Sequence, residues 1–335
     1  MQWCELFPLH GSELLRSPVV LVGDVGGTSV RFALGQKTDA GITLTDIKTS
    51  SNPNIQSFSE AVQDYLKQID AVPDMALFAL AGPVRDDEVK LTNRDWPLVS
   101  ANDLKASLGI EKVWLRNDFA AMARAIPELP ESQFENIIPG NSTTTSKPVL
   151  VTGPGTGFGI SSLLPEGQGW RVVTGEGGHA AFAPRTDEEK QLHAVMTATH
   201  GYVSYEMMVS GRWLIPVYEA LCSVRGRPVE KLNLQEMLQA ASQGDDFFNS
   251  LFQIRANILM GAIGDAALIA GTPDRIVMTG SVAVGLLPWL NAKDACVRLH
   301  ERGVMSDFFK PTTVDVLTSG EAPLIGAAAI AFDQP

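Results

Sequence analysis

Cysteine is scarce in this 335-residue chain: Cys4, Cys222 and Cys296 are too few and too far apart for a disulfide framework or a paired-cysteine zinc site. Positive charge is also short, with 26 Lys and Arg against 38 Asp and Glu, a formal net charge of −12. That balance argues against nucleic acid or an anionic membrane surface as the main partner. Long hydrophobic runs are missing too, since even the apolar stretch 258–271 carries Asp265. The opening decapeptide, MQWCELFPLH, has no basic n-region and contains Glu5, so it does not read as a secretory signal. A reducing cytoplasm fits. If the ligand is nonetheless anionic, uncovered backbone amides and helix N-termini must hold it against the overall field.

The chain is long enough for two domains, and 45% hydrophobic with 19% charged residues is an ordinary globular composition. The stretch VVLVGDVGGTSVRFAL, residues 19–34, sets Asp24 and a Gly-Gly-Thr between two β-prone arms. It predicts a β-hairpin with its tip at Gly26, Gly27 and Thr28, where the backbone can adopt unusual φ and an anion can approach the amides. Residues 57–69 have helical spacing with an acidic first turn, and the strand-like MALFALAGPV follows. Lys112 to Arg116 predicts a short strand, after which Asp118 opens a helix stopped near Pro127. This alternation predicts a central sheet flanked by helices.

Residues 139–148, PGNSTTTSKP, read as a surface loop near a domain boundary, and residues 1–17 as a poorly patterned extension. Beyond the loop, PVLVTGPGTGFGISSLL repeats the strand, glycine turn, strand layout of the opening hairpin. A third glycine turn, Gly280 and Ser281, ends the strand of IVMTGSVAVG before a helix. Two such hairpins predict a duplicated α/β unit with the tips facing across a cleft. Residues 256–270 and 322–332 are helix-like and rich in small residues.

Neither hairpin is a Walker A loop, because no Gly-Lys-Ser/Thr follows at the required spacing. GEGGHA, residues 175–180, matches a loose dinucleotide pattern, but Phe182 and Pro184 stand where its helix should start. Taken together, the three turns suit a nucleotide-phosphate clamp. The amides and hydroxyls of Gly26, Gly27, Thr28, Thr156 and Gly157 would face phosphate oxygens, and Asp24 would orient Mg²⁺ through water. Asp118, where a strand hands over to a helix, is either an N-cap or a weak base that accepts a hydroxyl proton in phosphoryl transfer, and both can hold together. Glu176 and His179 offer a carboxylate and an imidazole, the mixed partners that sugar hydroxyls need, although a lone His is more often structural. Glu206, taken alone, reads as a solvated surface charge on a helix.

In order and spacing, LVGDVGGTSVRFAL, LTNRDW, RNDFAAMARAIP, TGPGTGFGIS, GEGGHAAFAP and YEMMVSGRWLIPVYEAL resemble the bacterial ATP-dependent glucokinases, from about Val19 onward. The resemblance implies the two-domain actin-like ATPase (ribonuclease H-like) α/β fold of the hexokinase, actin and heat-shock chaperone superfamily, with an interdomain cleft. It implies ATP and Mg²⁺ as cofactors, glucose as the acceptor, and a homodimer. Asn117 and Asp118 would bind ring hydroxyls, with Asp118 as base toward the 6-hydroxyl, and Glu176, His179 and Glu206 would complete the sugar site. The implied small domain is 18–128 plus 319–335, and the large domain 129–318. Ser29 stands where the family usually has Asn, and the cysteine-rich zinc motif of the repressor and kinase sugar-kinase group is missing after Glu176 and His179. The remaining rivals are a kinase for another hexose or one using polyphosphate, and a sugar-sensing regulator.

With no cysteine cluster to hold a structural metal, chelation should leave the fold intact. The far-ultraviolet circular dichroism spectrum is expected to be unchanged on adding EDTA.

Overall fold

The computed structural model describes residues 17–25, 30–50, 55–69, 71–91, 95–140, 147–167, 169–271 and 274–334. The expectations for residues 1–16, for Gly26, Gly27, Thr28 and Ser29, and for 141–146 lie outside them.

The first half opens with β1 (Val19–Val25), β2 (Val30–Thr38) and β3 (Gly41–Ser50). Every residue of β1 is buried, because it runs antiparallel to β2 and parallel to β4 (Met75–Leu80), in the middle of the sheet. A central strand covered on both faces reads as a continuous apolar run, and VVLV is one. Between β3 and β4 lies α1 (Phe58–Leu66), whose N-cap Ser57 accepts a hydrogen bond from the Glu60 amide at 3.2 Å. A small ribbon of β5 (Glu88–Val89) and β6 (Val99–Ser100) leads through α2 (Ala101–Leu108) to β7 (Lys112–Asn117). Helix α3 (Asp118–Ala125) starts with no intervening loop, and Pro127 falls in the 3₁₀ turn Ile126–Glu128 that ends it.

The second half contains β8 (Phe134–Ile138), the hairpin of β9 (Val149–Pro154) and β10 (Phe158–Glu166), and β11 (Gly169–Gly175). A helical layer follows: α4 (Asp187–His200), α5 (Tyr205–Val209), α6 (Leu214–Val224), α7 (Leu234–Ser242) and α8 (Asp246–Ala270). The sheet is completed by β12 (Arg275–Met278), then α9 (Ser281–Gly285), α10 (Leu287–Leu290), α11 (Lys293–His300) and β13 (Thr313–Leu317). Strand order is β3-β2-β1-β4-β7 in the first sheet and β11-β10-β9-β12-β13-β8 in the second. Each holds a three-stranded antiparallel meander whose first strand pairs in parallel with the next two-strand run. The repetition visible in the two glycine hairpins thus extends to five strands of each sheet, and the second sheet adds β8 antiparallel to β13.

Helix α8 begins ten residues before the 256–270 stretch that periodicity picks out. Asp245 caps it, accepting from the Phe247 and Phe248 amides, and the aromatic residues of its first turns are buried against Tyr218. Among the described residues α8 is the one helix long and apolar enough to cross a membrane, and it is mostly buried as the spine of the second core.

The last helix, α12 (Ala322–Phe332), returns to the first half and packs on α3 and on the first sheet. Its Leu324, Ala327, Ala328 and Ala331 form one core cluster with Val20, Val22, Leu77, Ala79 and Ala121. Small residues let the helices approach closely. At Gly326 an added Cβ would overlap the Ala121 carbonyl oxygen and sit 2.9 Å from the Ala125 nitrogen. Gly326→Ala would gain about 1 kcal/mol of helix propensity. The overlap is with backbone that cannot rotate away, and overpacking of this kind costs ~1–3 kcal/mol, so the balance is a loss. The urea midpoint of Gly326→Ala is expected to fall with the m-value unchanged.

Candidate active site

Between the two sheets lies a cavity of about 1140 Å³, walled by the β7/α3 junction on one side and by the β9–β10 turn and residues 174–179 on the other. Asn117 ends β7 and is the N-cap of α3: its Oδ1 accepts from the Phe119 amide at 3.0 Å and from the Ala120 amide at 3.2 Å. Its Nδ2 donates to the Gly82 carbonyl at 3.2 Å. The sequence left open whether Asp118 caps this helix, and the cap is Asn117 instead. Asp118 is therefore the first helical residue, with Oδ1 accepting from the Phe119 amide at 2.8 Å. Burial pushes its carboxyl up to about 6, and the negative charges of Asp24 and Glu176 add to the rise, while the Phe119 amide opposes it. A carboxylate of that basicity is a better proton acceptor near neutral pH than an ordinary aspartate.

Across the cavity, Gly155, Thr156 and Gly157 form the turn of the second hairpin, closed by a hydrogen bond from the Gly155 amide to the Gly157 carbonyl at 2.8 Å. Glu206 reaches the same turn. It lies on α5, a helix held at its start by Ser204, whose hydroxyl accepts from the Met207 amide, and by Tyr205, whose hydroxyl donates to Asp265 Oδ2 at 2.6 Å. At the other end the buried Arg255 guanidinium donates to the carbonyls of Met208, Val209 and Ser210. Glu206 Oε2 accepts from the Phe158 amide at 2.9 Å and lies 3.8 Å from His179 Nε2. Its side chain is only 15% exposed, so the surface-charge reading is corrected. A Cβ on Gly157 would come 2.8 Å from Glu206 Oε2, which ties the glycine of the turn to the position of this carboxylate. Glu176 precedes and His179 ends a 3₁₀ turn, Gly177–His179, and both side chains line the cavity with substantial exposure.

Asp24 lies at the end of β1, paired through Oδ2 with Arg31 Nη2 at 2.5 Å and Nε at 3.2 Å. Arg31 also donates to the Gly320 carbonyl, which fastens the hairpin to the segment before α12. Gly280, at φ 91, borders the cavity beside the Pro154 carbonyl. Ser281 does not line this cavity. It lines a second one of about 440 Å³, apolar, between Leu214, Ile215, Leu238, Phe252, Val282 and Leu286. The two spaces share a wall, since the Gly211 amide donates to the Gly155 carbonyl and a Cβ on Gly211 would contact Val282.

Sequence reasoning passed over Asp86 and Asp87, which line the rim. Both have positive φ, near 50° and 56°, between reciprocal backbone bonds of Arg85 and Glu88, and Asp87 pairs with Arg116 at 3.5 Å. An Asp-Asp pair between two strand-prone dipeptides is the signal for such a turn. Among the described residues no group of three or more His, Cys, Asp or Glu could hold a metal ion, and Cys222 and Cys296 are free thiols.

A crystal structure of a glucokinase from an Antarctic psychrotroph aligns with a TM-score of 0.85 and 30% identity over 94% of this chain and 99% of that one. That likeness sets the class, a two-domain α/β protein of the actin-like ATPase fold. The fold is shared at 19% identity, TM-score 0.80, by a Balamuthia mandrillaris glucokinase solved in complex with glucose, over 96% of this chain and 95% of that one. A glucokinase of Nitrobacter hamburgensis is 32% identical over 316 residues, 93% of this chain and 97% of the relative. The family model for glucokinase matches residues 21–334, and this chain belongs to the glucokinase family, ATP-dependent hexose kinases.

The raised pKa of Asp118 has two consequences of definite sign. If the ionised form is the base, kcat/KM falls as pH drops through about 6, giving an acid limb near that value in a pH–rate profile. A carboxyl held above its unfolded value favours the protonated native state, so its destabilising effect develops between about pH 4 and 6 and is complete above. Asp118→Asn should then melt higher than wild type at pH 7.5 and alike near pH 4, while kcat falls by about 10²–10⁴. The Asn117 cap is untouched by this change. For Glu206→Gln, which keeps an oxygen for the Phe158 amide but loses the charge, glucose affinity is expected to weaken by about 1–3 kcal/mol in calorimetry, with ATP affinity unchanged.

Proposed function

We propose that this member of the glucokinase family transfers the γ-phosphoryl group of ATP to the 6-hydroxyl of glucose, giving glucose 6-phosphate and ADP. The observation that carries the reading is a carboxylate of raised basicity, Asp118, facing the same cavity as the Gly155–Gly157 turn and the Glu206 carboxylate. One wall offers amides for phosphate oxygens and the other a proton acceptor, which is what in-line phosphoryl transfer requires.

In this reading the sugar lies between α3 and residues 176–179. Asn117 has one Nδ2 hydrogen left after its bond to Gly82, and Glu176, His179 and Glu206 supply further partners for hydroxyls. Asp118 Oδ1 is occupied by the Phe119 amide, so Oδ2 takes the proton as the 6-oxygen attacks the γ-phosphorus and the bond to the β-bridging oxygen breaks. Amides and the hydroxyl of Thr156, with Gly157 and Gly280, would surround the phosphates, together with Gly26, Gly27 and Thr28 of the first hairpin. The apolar second cavity, which adjoins Gly280 through Ser281, has the chemistry to take the adenine.

Mg²⁺ fits the residues present in one manner. Asp24 Oδ2 is taken by Arg31, leaving Oδ1, and among the described residues no group of three or more His, Cys, Asp or Glu is placed to hold a metal ion. A single carboxylate acting through water suits an ion that keeps several waters and binds mainly to substrate phosphates. The ion would supply charge neutralisation for the triphosphate. The small domain, 18–128 plus 319–335, and the large domain, 129–318, would close on both substrates, as the return of α12 to the first sheet supports. The superfamily of hexokinases, actins and chaperone ATPases, a cytoplasmic location, a homodimer and the lack of a nucleic-acid partner belong to the same reading.

The test is a hexose panel offered with ATP, with and without Mg²⁺, following ADP and sugar phosphate together. Glucose is expected to give stoichiometric glucose 6-phosphate only with Mg²⁺. Full turnover without the metal, or ADP release with no sugar phosphate, would overturn it.

A further inference from the structure

We propose that Phe119 is a positioning residue for the phosphoryl transfer, its ring seating the helix that bears Asp118 on a bare patch of backbone in the phosphate hairpin. The proposal rests on Asp118 being the base. Gly153 and Gly159 stand directly opposite each other in the β9–β10 pairing. A Cβ on Gly159 would lie 2.6 to 2.9 Å from Cγ, Cδ2 and Cδ1 of Phe119, and one on Gly153 would run into Cε2 of the same ring. The ring therefore lies across both glycines, in space that any side chain on either would claim.

Glycine inside a strand weakens the sheet and marks a place where something approaches the backbone closely. Here β9 and β10 are both interior strands, and the approaching group is the phenyl ring. The same two strands run directly into the turn: Gly155 is two positions beyond Gly153, and Gly157 two before Gly159. At the other end of the residue, the Phe119 amide donates to Asp118 Oδ1 at 2.8 Å. One residue thus touches the proton acceptor through its backbone and the phosphate turn's strands through its side chain. The separation of base and phosphate is set by a ring resting on main chain.

Misplacing a reacting group by about 1 Å can cost on the order of 10² in rate while leaving ground-state binding in place. Phe119→Leu and Gly159→Ala are each expected to lower kcat by roughly 10- to 100-fold, with KM for glucose and for ATP close to wild type. The double variant should turn over faster than Gly159→Ala alone, because the smaller side chain vacates the room the new methyl takes. Phe119→Met, which keeps volume but not the flat ring, should lose kcat with little change in urea midpoint, so the test survives if the leucine variant does not fold. Wild-type kcat in the single variants, or a double variant whose loss is the product of the two single losses, would overturn the proposal. Wild type assayed in parallel separates the two readings. If it fails to phosphorylate glucose, the proposed function falls, whereas an active wild type with equally active variants removes only the role of Phe119.

Discussion

The carboxamide of Asn117 is the fixed point of the cleft. Its Oδ1 satisfies two amides at the start of α3, and its Nδ2 holds the Gly82 carbonyl. A helix start leaves several donors without partners, and if Asp118 were the group to satisfy them its carboxylate would be spent on structure. Because the preceding residue does most of that work, Asp118 accepts only the Phe119 amide at Oδ1 and keeps its other oxygen free in a poorly solvated place where burial raises its pKa to about 6. The cap falls mainly on Asn117, with Asp118 sharing only the Phe119 amide, and this leaves Asp118 Oδ2 for function.

That division has an energetic side. A carboxyl whose ionised form is disfavoured by burial, and by Asp24 and Glu176, destabilises the native state above its own pKa. The surrounding structure must over-determine its position, and it does so from several directions. Gly326 brings α12 against α3, Phe119 rests on the second hairpin, and Arg31 binds the first hairpin both to Asp24 and to Gly320. That cost is offset by packing that is close because glycines face it at Gly153, Gly159 and Gly326.

How much of this was legible in the chain depended on the range of the interactions. Both hairpins, the β7 to α3 junction, the small-residue last helix and the rejection of GEGGHA as a dinucleotide loop follow from local pattern, and the observed elements agree. Asp118 was legible as a candidate because strand-to-helix handovers are visible in sequence, but which neighbour caps was not, since Asn and Asp cap equally well. Glu206 was illegible from its own helix. Its burial comes from the Phe158 amide 48 positions away and from the missing Cβ of Gly157, and neither leaves a trace in local periodicity. Ser281 shows the reverse, a residue at a glycine turn that faces the second cavity although its neighbour Gly280 borders the first. Backbone direction at one φ-positive glycine decided between them.

The return of α12 also bears on how the protein is made. Arg31 and the Gly320 carbonyl it holds are 289 positions apart, and the inner face of the first sheet is covered by residues that leave the ribosome long after the strands themselves. Until then Val20, Val22, Leu77 and Ala79 have only α3, through Ala121, on that side, and the second sheet too waits for β13, which is made just before α12. The amino-terminal half therefore completes its core only when the end of the chain emerges, against the usual order in which domains mature as they are synthesised. A premature stop before Ala322 would leave that face of the sheet without the helix that completes its core.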